Sequence, residues 1–337
     1  MAARILICED SATYARGLSR FLQSDGELEV VGVCETGEDA IEALPRLKPD
    51  LVTMDLELPG MDGIRAVEEI MRSPHALPIL VLSAHVRRGS DKPAAALAAG
   101  ALEALPKTEV RLDDPEGDQA VAFRHKLRRL ARAGSNGSAV PSSQRPSGAR
   151  PRVVGICTST GGPKALESVL TGLPADFPLP VLVVQHMAEG FIDGMIRWLD
   201  ERAPLPVALA EDGQRAEPGI WFAPDDAHLV LEPSLMLSLD RETVMGAHRP
   251  SADMLLQSMA GSVGAGAVGV VLTGMGRDGA LGVDRILRGR GRVFAQDEAS
   301  SAVFGMPRAA AEAGAAVLPV GSIAAELCGL LTEEAAK

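Results

Sequence analysis

An α/β chain of two domains is what the sequence predicts, and three observations carry it. Short apolar runs alternate with amphipathic stretches along most of the length. A Ser-, Gly- and Pro-rich stretch, AGSNGSAVPSSQRPSGARPR, interrupts them at 133–152. The 337 residues also exceed what one domain usually holds. The expected boundaries are 1–131 for the first domain, 132–151 for the linker and 152–337 for the second.

In the first domain, RILIC, LEVVGVC, DLVTM, PILVL and ALEAL predict five strands. Between them, SATYARGLSRFLQ, GEDAIEAL and GIRAVEEIMRS have helical character. This order predicts an open parallel sheet with helices on both faces. In the second domain, RVVGIC, LPVLVVQ, GIWFAP, HLVLEP, LMLSLD, AVGVVLTG and GRVFAQ predict strands, several separated by helical segments. HLVLEPSLMLSLD reads as a hairpin. The expectation is a doubly wound α/β domain with a mixed sheet.

The net charge of −12 repels nucleic acid and anionic membranes. The one basic run, RHKLRRLAR at 124–132, alternates with apolar residues and reads as a solvated helix face. Cys8, Cys34, Cys157 and Cys328 stand far apart with no C-x-x-C spacing, so neither zinc nor a disulfide framework is expected. MAARILICED meets acids too soon for a signal peptide. No apolar run approaches the roughly 20 residues that span a bilayer. The expected setting is the cytoplasm, without membrane insertion.

Polar groups gather where strands end. Glu9 and Asp10 follow RILIC, Asp55 follows DLVTM, Ser83 follows PILVL, and Lys107 follows ALEALP. Ligand sites of open α/β sheets lie beyond the carboxyl ends of strands. Glu9, Asp10 and Asp55, brought together, repel one another and call for a hard divalent cation such as Mg²⁺. A carboxylate can attack phosphorus to form an acyl phosphate. Lys107 and the Ser83 hydroxyl would then hold phosphoryl oxygens.

With ILICEDS, MDLELPGMDGI, LVLSA and ALPK, the first domain resembles a two-component response-regulator receiver, a flavodoxin-like parallel sheet. The resemblance implies Asp55 as phosphoacceptor, Glu9, Asp10 and Asp55 as Mg²⁺ ligands, and Ser83 with Lys107 as the phosphate switch. It also implies a sensor histidine kinase as phosphodonor. Two positions depart from the family: Thr108 follows the lysine where proline is usual, and Ala104 stands where an aromatic is common.

VVGICTSTGGPKAL, 153–166, reads strand, glycine turn, helix, with Ser159 in the turn and Pro163 suited to a first helical turn. Read alone, STGG fits an N-cap serine or a phosphate-binding loop as well as a nucleophile. His186, delivered to a strand end by PVLVVQ, is the candidate base, with His248 in AHRPSAD as its competitor. Asp278 lies in the glycine loop of AVGVVLTGMGRDGALG and is the candidate orienting carboxylate.

The blocks TSTGGP, VVQHM, GIWFAPDDAHLVL, HRPSADMLLQSMA, VVLTGMGRDGALG and AQDEASSAVFGMPRAA resemble the chemotaxis protein-glutamate methylesterases, in that family's order. CTSTGG replaces the commoner GASTGG. The resemblance implies Ser159 as nucleophile, His186 as general base and acid, and Asp278 as orienting carboxylate. It sets Thr160 and Met275 at the oxyanion and the active-site wall. It further implies a phosphorylation-activated hydrolase that demethylates glutamate esters on methyl-accepting chemoreceptors, deamidates specific glutamines, needs no cofactor for the esterase reaction and serves sensory adaptation.

Overall fold

The structure is a computed structural model, and it describes residues 2–84, 91–132, 150–246 and 248–332. The predicted linker lies, from 133 to 149, outside the described residues. The chain separates into two compact units, Met1–Asn136 and Gly137–Lys337. Among the described residues no helix is long and apolar enough to cross a membrane.

The first unit alternates strand and helix throughout. It runs β1 (Ala3–Cys8), α1 (Ala12–Leu22), β2 (Leu28–Cys34), α2 (Gly37–Leu47), β3 (Leu51–Asp55) and α3 (Gly63–Arg72). It continues with β4 (Ile79–Ser83), α4 (Lys92–Ala99), β5 (Glu103–Pro106) and α5 (Asp118–Arg132). The sheet order is β2-β1-β3-β4-β5, with every pair parallel. The chain reverses direction across the sheet between β1 and β3, so their carboxyl ends flank the switch-point crevice. Helix starts follow local chemistry: Ser11, Thr36 and Asp62 each accept a backbone N–H at the N-cap of α1, α2 and α3.

The basic run forms α5, but its face is not simply solvated. Arg124 is buried, bonded to Asp25 at 2.9 Å and to the Pro115 carbonyl at 2.7 Å. Lys126 pairs with Glu103 and Arg128 with Glu27. Neighbouring acids therefore cancel this positive stripe.

The second unit runs β6 (Val153–Thr158), α6 (Gly162–Leu170), β7 (Pro180–Gln185), α7 (Ile192–Asp200), β8 (Val207–Leu209) and β9 (Gly219–Phe222). Then come β10 (His228–Leu231), β11 (Leu237–Asp240), α8 (Ala252–Val263), β12 (Ala267–Val271) and α9 (Ala280–Arg288). Last are β13 (Arg292–Gln296), α10 (Met306–Glu312), β14 (Ala316–Leu318) and α11 (Val320–Thr332). Seven strands form one sheet in the order β14-β13-β12-β6-β7-β9-β8.

The expected mixed sheet is corrected here: all six pairings in this sheet are parallel. The expected antiparallel hairpin does form, as β10 and β11, but it stands apart as its own two-stranded sheet. Helical crossovers link β6 to β7, β12 to β13 and β13 to β14 in the parallel sheet, and a helix-free loop links β8 to β9, whereas β10 and β11 are joined by a short turn that permits only an antiparallel partner. Strands buried on both faces explain the unbroken apolar runs: every residue of β6, β7, β12 and β13 is buried.

Candidate active site

Three parallel strands bring the candidate residues of the second unit together. The central β6 is followed in the chain by β7 on one side, and the chain later returns to β12 on the other. Their carboxyl ends therefore flank a switch point. Thr158 and Gln185 are register partners, so Ser159 and His186 are the next residues on adjacent strands. The His186 amide donates to the Thr158 carbonyl at 3.0 Å.

The turn bearing Ser159 is fixed through its backbone. The Ser159 amide donates to the Thr273 carbonyl at 3.0 Å. Its carbonyl accepts from the Gly162 amide at 2.8 Å and from Gln185 Nε2 at 2.9 Å. Gly161 adopts φ 77°, which a side chain would resist. At Gly162 a Cβ would meet Gln185 Oε1 and Thr158 Oγ1, so the glycine makes room for the polar frame.

That frame is buried and reaches across four strand ends. Thr158 Oγ1 donates to the Thr273 carbonyl at 2.8 Å. Thr273 Oγ1 donates to the Thr160 carbonyl at 2.9 Å and accepts from the Val303 amide at 2.9 Å. The Thr273 amide donates to Gln296 Oε1 at 2.7 Å. Gln185 Nε2 also reaches the His186 carbonyl at 2.8 Å. The sequence reading missed Gln185, Thr273 and Gln296. The available signal was a polar residue closing or just following an otherwise apolar strand run.

His186 Nε2 lies 2.9 Å from Asp278 Oδ2, and its side chain is 7% exposed. The two groups are within contact distance, with the ring N–H off the line to the oxygen. Nδ1 is buried and has no hydrogen-bond partner among the described residues. The competitor His248 is brought here too, its ring stacked on His186 at 4.3 Å and 17°.

Asp278 is held by the start of α8. It accepts from the Ala252 amide at 2.8 Å, the Asp253 amide at 3.0 Å and Ser251 Oγ at 3.0 Å. Burial alone would raise its pKa, but the His186 contact and these N–H donors hold it well below the usual carboxylate range. His228 serves this helix start, with Nδ1 accepting from the Ser251 amide at 3.0 Å. Thr160 is buried directly after Ser159, and Met275 is half-buried in the β12–α9 loop ahead of Asp278. A pocket of about 570 Å³ opens beside Asp278 and His248, bounded further by Arg277, Leu281, Ala309 and Glu312.

The first unit gathers its own constellation. Asp55 closes β3, Ser83 closes β4, and both are buried. Lys107 Nζ bridges Glu9 Oε2 at 2.6 Å and Asp55 Oδ2 at 2.7 Å. Burial pulls the Lys107 pKa down, yet the hydrogen bonds to Asp55 and Glu9 win and raise it. Burial raises the pKa of Glu9 against the pull of Lys107.

Glu9, Asp10 and Asp55 offer oxygens within 4.8 Å of one another. Two buried carboxylates and one exposed, all hard oxygen donors, fit Mg²⁺. Ala104 is buried with no bulk to swing, and Thr108 sits in a short 3₁₀ turn, Lys107–Glu109.

Comparison with known proteins matches both units. The model of the CheB methylesterase family matches residues 154–327. That of the response regulator receiver domain matches residues 5–113. A Myxococcus xanthus protein, named protein-glutamate methylesterase/protein-glutamine glutaminase 3, is 42% identical over 313 residues, covering 91% of this chain and 87% of its own. An Anaeromyxobacter dehalogenans protein of the same name is 42% identical over 329 residues, covering 93% of this chain and 94% of its own. The crystal structure of the Thermotoga maritima CheB methylesterase catalytic domain is 37% identical with a TM-score of 0.52, covering 54% of this chain and 100% of that one.

Proposed function

This chain belongs to the CheB methylesterase family and carries a receiver domain ahead of the esterase domain, and from that we propose a phosphorylation-controlled serine hydrolase. It demethylates glutamyl γ-methyl esters on chemoreceptors, deamidates specific receptor glutamines, and so serves adaptation in the cytoplasm. The observation that carries this reading is that Ser159 and His186 stand one residue past the registered ends of β6 and β7, with His186 in contact with Asp278 from the β12–α9 loop.

Ser159 Oγ attacks the ester carbonyl carbon while His186 takes the hydroxyl proton. Because Asp278 faces Nε2, the basic nitrogen is Nδ1. The oxyanion sits by backbone donors near Thr160 and Met275. The C–O bond to methoxide breaks, His186 returns the proton, and methanol leaves. Water then repeats the sequence on the acyl-enzyme and releases the glutamate. A glutamine substrate follows the same path with ammonia as leaving group.

His186→Ala should lower methanol release by roughly 10⁴-fold. His248→Ala should cost far less, since it removes a stacked ring and leaves the base. Methanol release by the two variants at equal concentration checks this, and the reverse ranking moves the base to His248.

In the receiver, a histidine kinase or small phosphodonor transfers its phosphoryl group to Asp55. An Asp55 oxygen forms the new bond to phosphorus as the donor's own P–O or P–N bond breaks. Glu9, Asp10 and Asp55 would hold Mg²⁺, which when bound neutralises phosphoryl charge. Lys107 and Ser83 hold phosphoryl oxygens.

Asp55→Asn should therefore keep basal esterase activity and lose its stimulation by acetyl phosphate with Mg²⁺. A coupling of about 1–3 kcal/mol corresponds to ~5- to 150-fold stimulation. Acid-labile phosphate on the Asn variant would assign the acceptor to another residue.

A further inference from the structure

Tyr14 stands in the first turn of α1, just past Glu9 and Asp10, and it is the chain's single tyrosine. Its ring lies beneath the Lys107 ammonium, 4.6 Å from ring centroid to Nζ, within cation–π range. That ammonium is the group joining Glu9 to Asp55. The Tyr14 hydroxyl is sealed from solvent and has no hydrogen-bond partner among the described residues.

A buried hydroxyl left unsatisfied is costly, and a phenylalanine would fill the same space without that cost. Burial, then the charges of Glu9 and Asp55, push the hydroxyl pKa up, so the group stays protonated and able to donate. In the resting pocket the carboxylates already have Lys107. What such a pocket gains on phosphorylation is a set of new acceptor oxygens.

We propose that Tyr14 is a positioning residue of the receiver pocket, its hydroxyl donating a hydrogen bond to an oxygen of the phosphoryl group on Asp55. The proposal rests on Asp55 as phosphoacceptor. On transfer, the Asp55 carboxylate becomes an acyl phosphate, and Lys107 is drawn from the two carboxylates toward the phosphoryl oxygens. The ring of Tyr14 carries the ammonium, and the hydroxyl adds a donor beside Lys107 and Ser83.

The test uses the full chain with beryllofluoride and Mg²⁺ as a stable stand-in for the acyl phosphate, beside the lifetime of radiolabelled acyl phosphate made from acetyl phosphate. Tyr14→Phe keeps the ring and removes only the hydroxyl. It should bind beryllofluoride roughly tenfold more weakly and lose its phosphate faster, with Mg²⁺ binding alone unchanged. Tyr14→Leu, lacking ring and hydroxyl, should be weaker still.

Wild-type affinity and lifetime in Tyr14→Phe would overturn the proposal. So would an equal loss of Mg²⁺ affinity, because the hydroxyl would then act on the carboxylates rather than the phosphoryl group. If the wild-type chain itself bound no beryllofluoride, the assignment of Asp55 would fail instead.

Discussion

Ser159→Ala is expected to lower methanol release from methylated receptor membranes by roughly 10⁴-fold or more, with the fold unchanged. The loss is large because the bond-forming oxygen is gone and no neighbouring group replaces it. The fold survives because the frame grips this residue through its backbone. The amide to Thr273 and the carbonyl to Gly162 and Gln185 are all kept by alanine. Alanine also keeps the Cβ that packs against Gly274. Methanol release and a thermal melt, taken on the same preparation, check both halves. Wild-type turnover in this variant would remove Ser159 as nucleophile.

Asp278→Asn is expected to lower kcat on the order of 10⁴-fold, as when an orienting carboxylate loses its charge. In the proposed mechanism Asp278 Oδ2 faces a protonated Nε2, which leaves Nδ1 unprotonated for Ser159. An amide pointing its NH₂ at His186 reverses that tautomer. Turned the other way, it keeps its oxygen toward His186 and the Ala252 amide but points its N–H groups at the Asp253 amide, which is a donor already.

The same substitution should change stability against pH. The folded-state pKa of Asp278 is depressed, so its contribution is present in full above the unfolded value of about 4. It is lost as pH falls through the folded value. Thermal melts between pH 7 and the acid limit should show a shallower acid slope in the variant. Wild-type kcat in this variant would end the orienting role, and His248 would become the next group to test.

The strands that carry the sites were legible because each is a continuous apolar run. RILIC, LEVVGVC and RVVGIC fall almost residue for residue on β1, β2 and β6. The strands β8 and β14 were not, since three residues are too few for a periodic signal. The sheet's uniform direction was missed because a hairpin in the sequence does not reveal which sheet it joins. Candidate residues at strand ends were legible for the same reason as the strands.

What holds those residues was harder to read. Nothing local in HRPSAD says that its helix start grips a carboxylate lying 25–27 positions later. Thr273 and Gln296 act through a polar frame that exists only once β12 and β13 are side by side. Tyr14 reads as one apolar position on an amphipathic helix until Lys107 is found above it.

The shortness of β8 and β14 has a consequence for self-association. They are the two margins of the seven-stranded sheet, with only Val207–Leu209 and Ala316–Leu318 in ladder. A sheet margin is a row of unpaired donors and acceptors that a second chain can extend into a fibre. Three residues offer little length for such templating, and they guard strands that are apolar on both faces. Protection against aggregation is thus placed at the rim, where no catalytic residue has been assigned, and the interior strands keep their apolar composition. Insertions that lengthen either margin with apolar residues would remove that protection while leaving Ser159, His186 and Asp278 where they stand.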